Sequence, residues 1–196
     1  ILNLVYLAEY FGLKEVANFW ESVVQINSWH QNRISKIVIE KLFGTITQKK
    51  IIILGFAFKA NTNDTRESAA ISICKDLIDE GAYLLIYDPK VSPKQIESDL
   101  QIKQKNVFGN DNSLNEQLGG WEFCKNLDIF ENAHAALILT EWDEFKNINW
   151  GKVAKKMARP AWIIDSRSIV NPIKVKEARL NLWLIGDGSQ NDKINF

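Results

Sequence analysis

Two cations bracket one short loop. Lys59 and Arg66 stand at either end of KANTNDTR, with Thr62, Asn63, Asp64 and Thr65 between them. A lysine and an arginine beside a helix entry offer an anion, by side chain, the positive charge that glycine-rich loops offer by backbone. Read singly, each is equally a solvated loop charge. Phe58 stands beside Lys59 after the first apolar run, and further chemistry-bearing residues stand where other apolar runs stop: Asp88, Glu141 and Arg167. Charged residues at strand ends are often only the rim of a sheet, and several cations at one rim less often so.

The elements that must position them follow from pattern. Ile51 to Leu54 is an apolar, β-branched run too brief for a helix, as expected of a buried parallel strand. Gly55 breaks it. Ala69, Ile73, Leu77 and Ile78 recur at helical spacing, with Thr65 or Ser68 as candidate caps and Gly81 as the stop. A second β run, Tyr83 to Tyr87, ends at Asp88-Pro89. Strand, loop, helix and strand make one βαβ unit. Ligands of open parallel sheets bind where loops leave the carboxyl ends of strands, which directs attention to Phe56 to Glu67. The loop has neither the G-x-G-x-x-G of dinucleotide folds nor a Walker sequence. Asp88, which in a dinucleotide fold would grip a ribose, lacks that fingerprint upstream and is expected to be structural.

Residues 1 to 11 read as a helix ended by Gly12, and Lys14 to Leu42 as a long one without proline; two helices broken near Asn27-Ser28 are the alternative. Its apolar residues exceed what one face hides, which points to an interface. Beyond Asp88 the pattern predicts a helix over Lys94 to Leu100, then an Asn/Gln/Gly-rich surface excursion over 103–120. A short strand at Glu122 to Cys124, one or two helical turns at Asp128 to Ala133 and a buried strand at Ala135 to Thr140 follow. A helix near Trp150 to Met157, a strand from Ala161, a helix capped by Asn171-Pro172 and a strand from Leu182 complete the pattern. The fold class is α/β, a Rossmann-like doubly wound parallel sheet preceded by a long helical segment. The expected domains are 1–47, helical; 48–187, the α/β domain; and 188–196, a tail.

The chain has 196 residues with 24 basic and 24 acidic side chains, so it carries no nucleic-acid footprint. No apolar run approaches the roughly twenty residues of a membrane span. Cys74 and Cys124 make neither a disulfide framework nor a metal site, and a reducing cytoplasm fits. His30 and His134 lack a matched acid or nucleophile.

GFAFKANTNDTRES resembles the GFAFKxxTxDTRES segment of UDP-glucose 6-dehydrogenases, within the UDP-sugar and GDP-mannose dehydrogenase superfamily. NLVYLAEYFGL, YDPK, LTEWDEF and PAWIIDSR agree, in order. The resemblance implies a carboxyl-terminal UDP-binding portion, with Phe58, Lys59 and Arg167 contacting the UDP-sugar and Arg66 contacting NAD across a cleft. The family's D-G-R reads Asp165-Ser166-Arg167 here. The catalytic cysteine of the family precedes NLVYL in a GGSCFxKD-like segment absent from this sequence, so no catalytic residue is expected in the chain. The uncapped first helix agrees with a start inside a longer protein. For that protein the resemblance implies oxidation of UDP-glucose to UDP-glucuronate by two NAD through a cysteine thioester, and a homodimer joined by the long helix. A UDP-N-acetylhexosamine or GDP-mannose type of enzyme, or a standalone nucleotide-sugar-binding or oligomerisation module, are the alternatives.

Overall fold

A computed structural model describes residues 1–105 and 119–187. The expected tail, and most of the expected 103–120 excursion, lie outside the described residues.

Six parallel strands form one sheet in the order β3-β2-β1-β4-β5-β6. They are β1 Lys50–Leu54, β2 Tyr83–Tyr87, β3 Gly120–Phe123, β4 Ala135–Ile138, β5 Trp162–Asp165 and β6 Asn181–Leu184. The inner strands are buried on both faces, Ile51 to Leu54 and Ala135 to Ile138 throughout, which is why they read as unbroken apolar runs rather than alternating ones. β1 pairs with β2 on one side and with β4 on the other, Ile52 lying opposite Leu85 and Ala136. The strand order reverses between β1 and β4, so the loops leaving these two strands diverge and open a crevice at the carboxyl rim.

Helix α3 (Ala69–Asp79) starts at Ser68, whose Oγ accepts the Ala70 N–H at 3.3 Å; of the two candidate caps, Ser68 is the one used. Helices α4 (Pro93–Leu100), α5 (Trp150–Lys156) and α6 (Pro172–Glu177) are capped by Ser92, Asn149 and Asn171. The turns expected at Asp128 to Ala133 are not helical. Asn126 Oδ1 accepts the Asp128 N–H and Asn132 adopts φ 56°, which breaks helical continuity, while Ile129, Phe130 and Ala133 pack into the core as a loop. A 3₁₀ turn over Asp143–Asn147 was not legible in the pattern.

Helix α1 (Leu2–Tyr10) ends before Gly12, which has φ 73°, and α2 (Lys14–Lys41) is one unbroken helix of 28 residues, about 42 Å long. The alternative break near Asn27-Ser28 does not occur; Ser28 Oγ bonds back to the Val24 carbonyl within the helix. Ile34, Ile37 and Val38, with Leu42 beyond the helix end, join the core of the sheet domain. Ser35 donates to Asp76 Oδ2 at 2.8 Å and Ser72 to Gln31 Oε1 at 3.2 Å, fixing α2 on α3. Upstream, Tyr6, Tyr10, Phe11, Phe19, Ile26 and Trp29 remain exposed. No helix among the described residues is long and apolar enough to cross a membrane.

Candidate nucleotide-binding site

The loop after β1 is held from below. Gly55 has φ +90°, and a Cβ there would lie 2.4 Å from Thr140 Cβ and 2.8 Å from the Thr140 nitrogen. Only glycine lets the β1 and β4 exits approach so closely. Thr140 Oγ1 then donates to the Ala57 carbonyl at 2.6 Å, and Ser68 Oγ to the Phe56 carbonyl at 2.8 Å.

Asp88 completes this floor. It is buried, and its carboxylate accepts five donors: the Phe56 and Ala57 amides at 2.7 and 3.0 Å, the Lys90 and Val91 amides at 2.9 Å each, and Trp142 Nε1 at 3.2 Å. No capacity is left for a ligand, so its role is structural. The arrangement also tests whether a dinucleotide fits this turn. A pyrophosphate needs the amides after the strand, and here a carboxylate of the chain already occupies them. The turn does not fit NAD.

The loop crosses the rim as a closed hairpin, the Phe58 amide donating to the Asp64 carbonyl at 2.9 Å. Phe58 presents its ring to solvent at 48% exposure. Lys59 is exposed and makes no hydrogen bond or ion pair among the described residues. Asp64 grips Arg66 through Nε at 2.9 Å and Nη2 at 2.7 Å, and these bonds hold the Asp64 carboxyl down to about 2. The Arg66 side chain stays largely exposed and away from the floor.

Arg167 arrives from the other half of the sheet. Asp165, at the end of β5, is fully buried and accepts the amides of Arg167, Ile169 and Val170 at 2.8 to 2.9 Å, which folds the strand end into a tight turn. Ser166, standing where the family pattern has glycine, does not need positive φ; that conformation falls on Ser168 at 55°. Ser166 Oγ instead donates to the Ile138 carbonyl at 2.8 Å, so the serine tightens the turn. Arg167 Nε donates to the Leu139 carbonyl at 2.8 Å and Nη2 to the Phe58 carbonyl at 3.2 Å. Nη1 makes no hydrogen bond among the described residues.

A cavity of about 300 Å³ opens beside Arg167, its wall including Phe58, Ser166 and Glu67 and, from α2, Asn27 and His30. Of the sequence-predicted residues the structure brings Phe58 and Arg167 together in its wall. Lys59 is the next residue along the same loop but is not part of the lining, and Arg66 stands apart. Nothing in the sequence singles out Asn27, and His30 is set aside there for want of a matched acid or nucleophile, although their helical spacing with buried Ile34 places both on the face turned to the sheet domain. His30 also stacks on Trp29, with ring centroids 6.2 Å apart. His134 lies at the opposite, amino-terminal edge of the sheet, where its Nδ1 accepts the Lys50 amide; burial lowers its pKa. Cys74 and Cys124 lie outside the cavity wall. Burial raises both thiols, that of Cys124 to about 11, which disfavours a thiolate. Among the described residues no cluster of His, Cys, Asp or Glu is arranged to hold a metal ion.

A doubly wound parallel sheet with a cavity at its carboxyl rim, lined by Phe58 and Arg167, is the architecture of a nucleotide-binding α/β domain. The chain belongs to the UDP-glucose/GDP-mannose dehydrogenase family, whose UDP binding domain matches residues 52–172. It is 42% identical over 193 residues to UDP-glucose 6-dehydrogenase 4 of Arabidopsis thaliana and 40% identical over 193 residues to UDP-glucose 6-dehydrogenase 3 of Oryza sativa subsp. japonica. Each match covers 95% of this chain, and the chain spans 40% of the length of these relatives. A UDP-glucose dehydrogenase from Pyrobaculum islandicum shares the fold, with a TM-score of 0.63 at 19% identity over 91% of this chain and 34% of that one.

Proposed function

We propose that this chain is the UDP-sugar-binding half of a UDP-glucose 6-dehydrogenase. Phe58, Lys59 and Arg167 contact the substrate, with residues 48–187 as the binding domain and 1–47 as a helical connector. The observation that carries the reading is Arg167, a residue of the cavity wall whose guanidinium is anchored through Nε and Nη2 to the carbonyls of two different loops, while Nη1 makes no hydrogen bond among the described residues. A planar cation held in this way is pre-organised for the fork geometry of a phosphate oxygen pair. Lys59 adds a mobile second charge from the neighbouring position, and the exposed Phe58 ring offers an apolar face to the sugar or base.

In the whole protein NAD accepts the hydrides, and Arg66 is the one residue of this chain assigned to reach it. The grip on the remote diphosphate fixes the sugar carbon relative to the reacting groups, turning binding energy into orientation. The nucleophilic cysteine belongs to the rest of the protein, since Cys74 and Cys124 are placed and protonated unsuitably. The exposed apolar face of α1 and the first part of α2 supports a homodimer joined through the long helix. A cytoplasmic location accords with two free cysteines.

The test is UDP-glucose-dependent NADH formation by the full-length protein beside the 196-residue chain alone. The full-length protein turns over and the chain alone does not. Turnover by the chain alone, or oxidation of a UDP-N-acetylhexosamine or GDP-mannose in preference to UDP-glucose, would displace this reading.

A further inference from the structure

Glu141 follows β4 at the centre of the rim, where Thr140 meets Gly55. Its side chain reaches two separate parts of the proposed site. Oε1 accepts the Ala60 amide at 3.4 Å, on the loop that carries Phe58 and Lys59. Oε2 lies 3.3 Å from Arg167 Nε. That nitrogen gives its proton to the Leu139 carbonyl at 2.8 Å, so Oε2 is buried and accepts no hydrogen bond among the described residues. A buried carboxylate oxygen without a donor is costly unless a counter-charge adjoins it, and the guanidinium is that counter-charge.

Resting on the UDP-sugar reading above, we propose that Glu141 is a positioning residue. Its carboxylate holds the Nε edge of Arg167 inward and ties the Phe58–Ala60 segment to the same point, so that the Nη1 end is presented to the diphosphate in a fixed orientation. Two neutral carbonyls, of Leu139 and Phe58, define the guanidinium plane, and the carboxylate supplies the charge that keeps it there in the absence of ligand. Glu141 also places a negative charge near an anion site. By attraction alone its removal would strengthen phosphate binding; by positioning, removal weakens it. The sign of the effect therefore decides between the two.

The experiment measures UDP binding by titration calorimetry, together with KM and kcat for UDP-glucose, in the full-length protein. The variants are Glu141→Gln, Glu141→Asp, Arg167→Ala and the double variant E141Q/R167A. Glu141→Gln raises the UDP Kd and the KM about three- to tenfold while kcat changes less than about twofold. Glu141→Asp, which keeps the charge on a shorter arm, recovers part of the loss. In the Arg167→Ala background Glu141→Gln has almost no further effect, because the group it positions is gone. Unchanged or tighter UDP binding in Glu141→Gln, or a loss that adds in full to that of Arg167→Ala, overturns the positioning role. If Arg167→Ala itself leaves UDP binding intact, the UDP-site reading falls and this inference with it.

Discussion

Arg167 Nη2 donates to the carbonyl of Phe58 at 3.2 Å, joining two residues 109 positions apart in sequence. The bond crosses the point where the strand order reverses, linking the β1 loop to the turn after β5. It means the cation and the aromatic residue proposed to contact the substrate are not independently placed; each helps define the other.

Replacing Arg167 by lysine tests that geometry while keeping the charge. Lysine lacks the Nε–Nη2 edge that reaches both carbonyls. Arg167→Lys is expected to lower kcat/KM for UDP-glucose at least about tenfold, nearer to Arg167→Ala than to the parent, and Lys59→Ala to lower it about three- to tenfold. Steady-state kinetics and a thermal melt on each variant provide the check. Kinetics within twofold of the parent would remove the residue from the site.

Asp88 is expected to matter for stability. Asn keeps one acceptor but turns an amide towards backbone donors that the carboxylate satisfied. A loss of about 2–4 kcal/mol follows from the stranded buried groups, roughly 5–15 °C in melting temperature for a domain of this size. Denaturant unfolding of Asp88→Asn measures it, and a midpoint unchanged from the parent would show the five-donor cluster to be unimportant.

Gly55→Ala should be as damaging, and without simple rescue. The added Cβ meets Thr140 Cβ at 2.4 Å, but also the Thr140 backbone nitrogen at 2.8 Å. Trimming that side chain in Gly55→Ala/Thr140→Ala therefore leaves the clash with the main chain. Both variants are expected to lose about 2–4 kcal/mol, read by urea titration; recovery of stability in the double variant would place the conflict in the side chain instead.

His134 gives the fold a pH dependence of definite sign. Burial lowers its pKa from the ordinary 6.5, with the charges of Lys49 and Lys50 acting in the same direction. The unfolded chain thus takes up the proton first as pH falls below about 6.5, and stability declines from there until the folded-state pKa is passed. Above 6.5 the group contributes no slope. Unfolding free energies of the parent and His134→Gln between pH 7.5 and about 5 should diverge in slope only in the lower part of that range, and parallel curves throughout would contradict the assignment.

The sheet was legible because its inner strands are buried on both faces and so carry unbroken apolar runs, Ile51 to Leu54 and Ala135 to Ile138. Side-chain capping by Ser68 and Asn171 was legible for the same local reason. The loop from Asp128 to Ala133 was not: apolar Ile129, Phe130 and Ala133 mimic a helical stripe, and only Asn132 in the left-handed region reveals otherwise. The role of Asp88 was half visible. The missing glycine fingerprint removed its ribose partner, but its five donors come from three chain segments that only folding brings together. Asn27 and His30 in the cavity wall belong to the same class, since their distance from the rim in sequence hides their proximity in space.

The most direct measurement is amide hydrogen exchange on the full-length protein with and without saturating UDP. Protection is expected to concentrate in two segments distant in sequence, Phe56–Ser68 and Asp165–Val170, and to be lost in Arg167→Ala. UDP-induced protection that bypasses both segments would contradict the UDP-site reading.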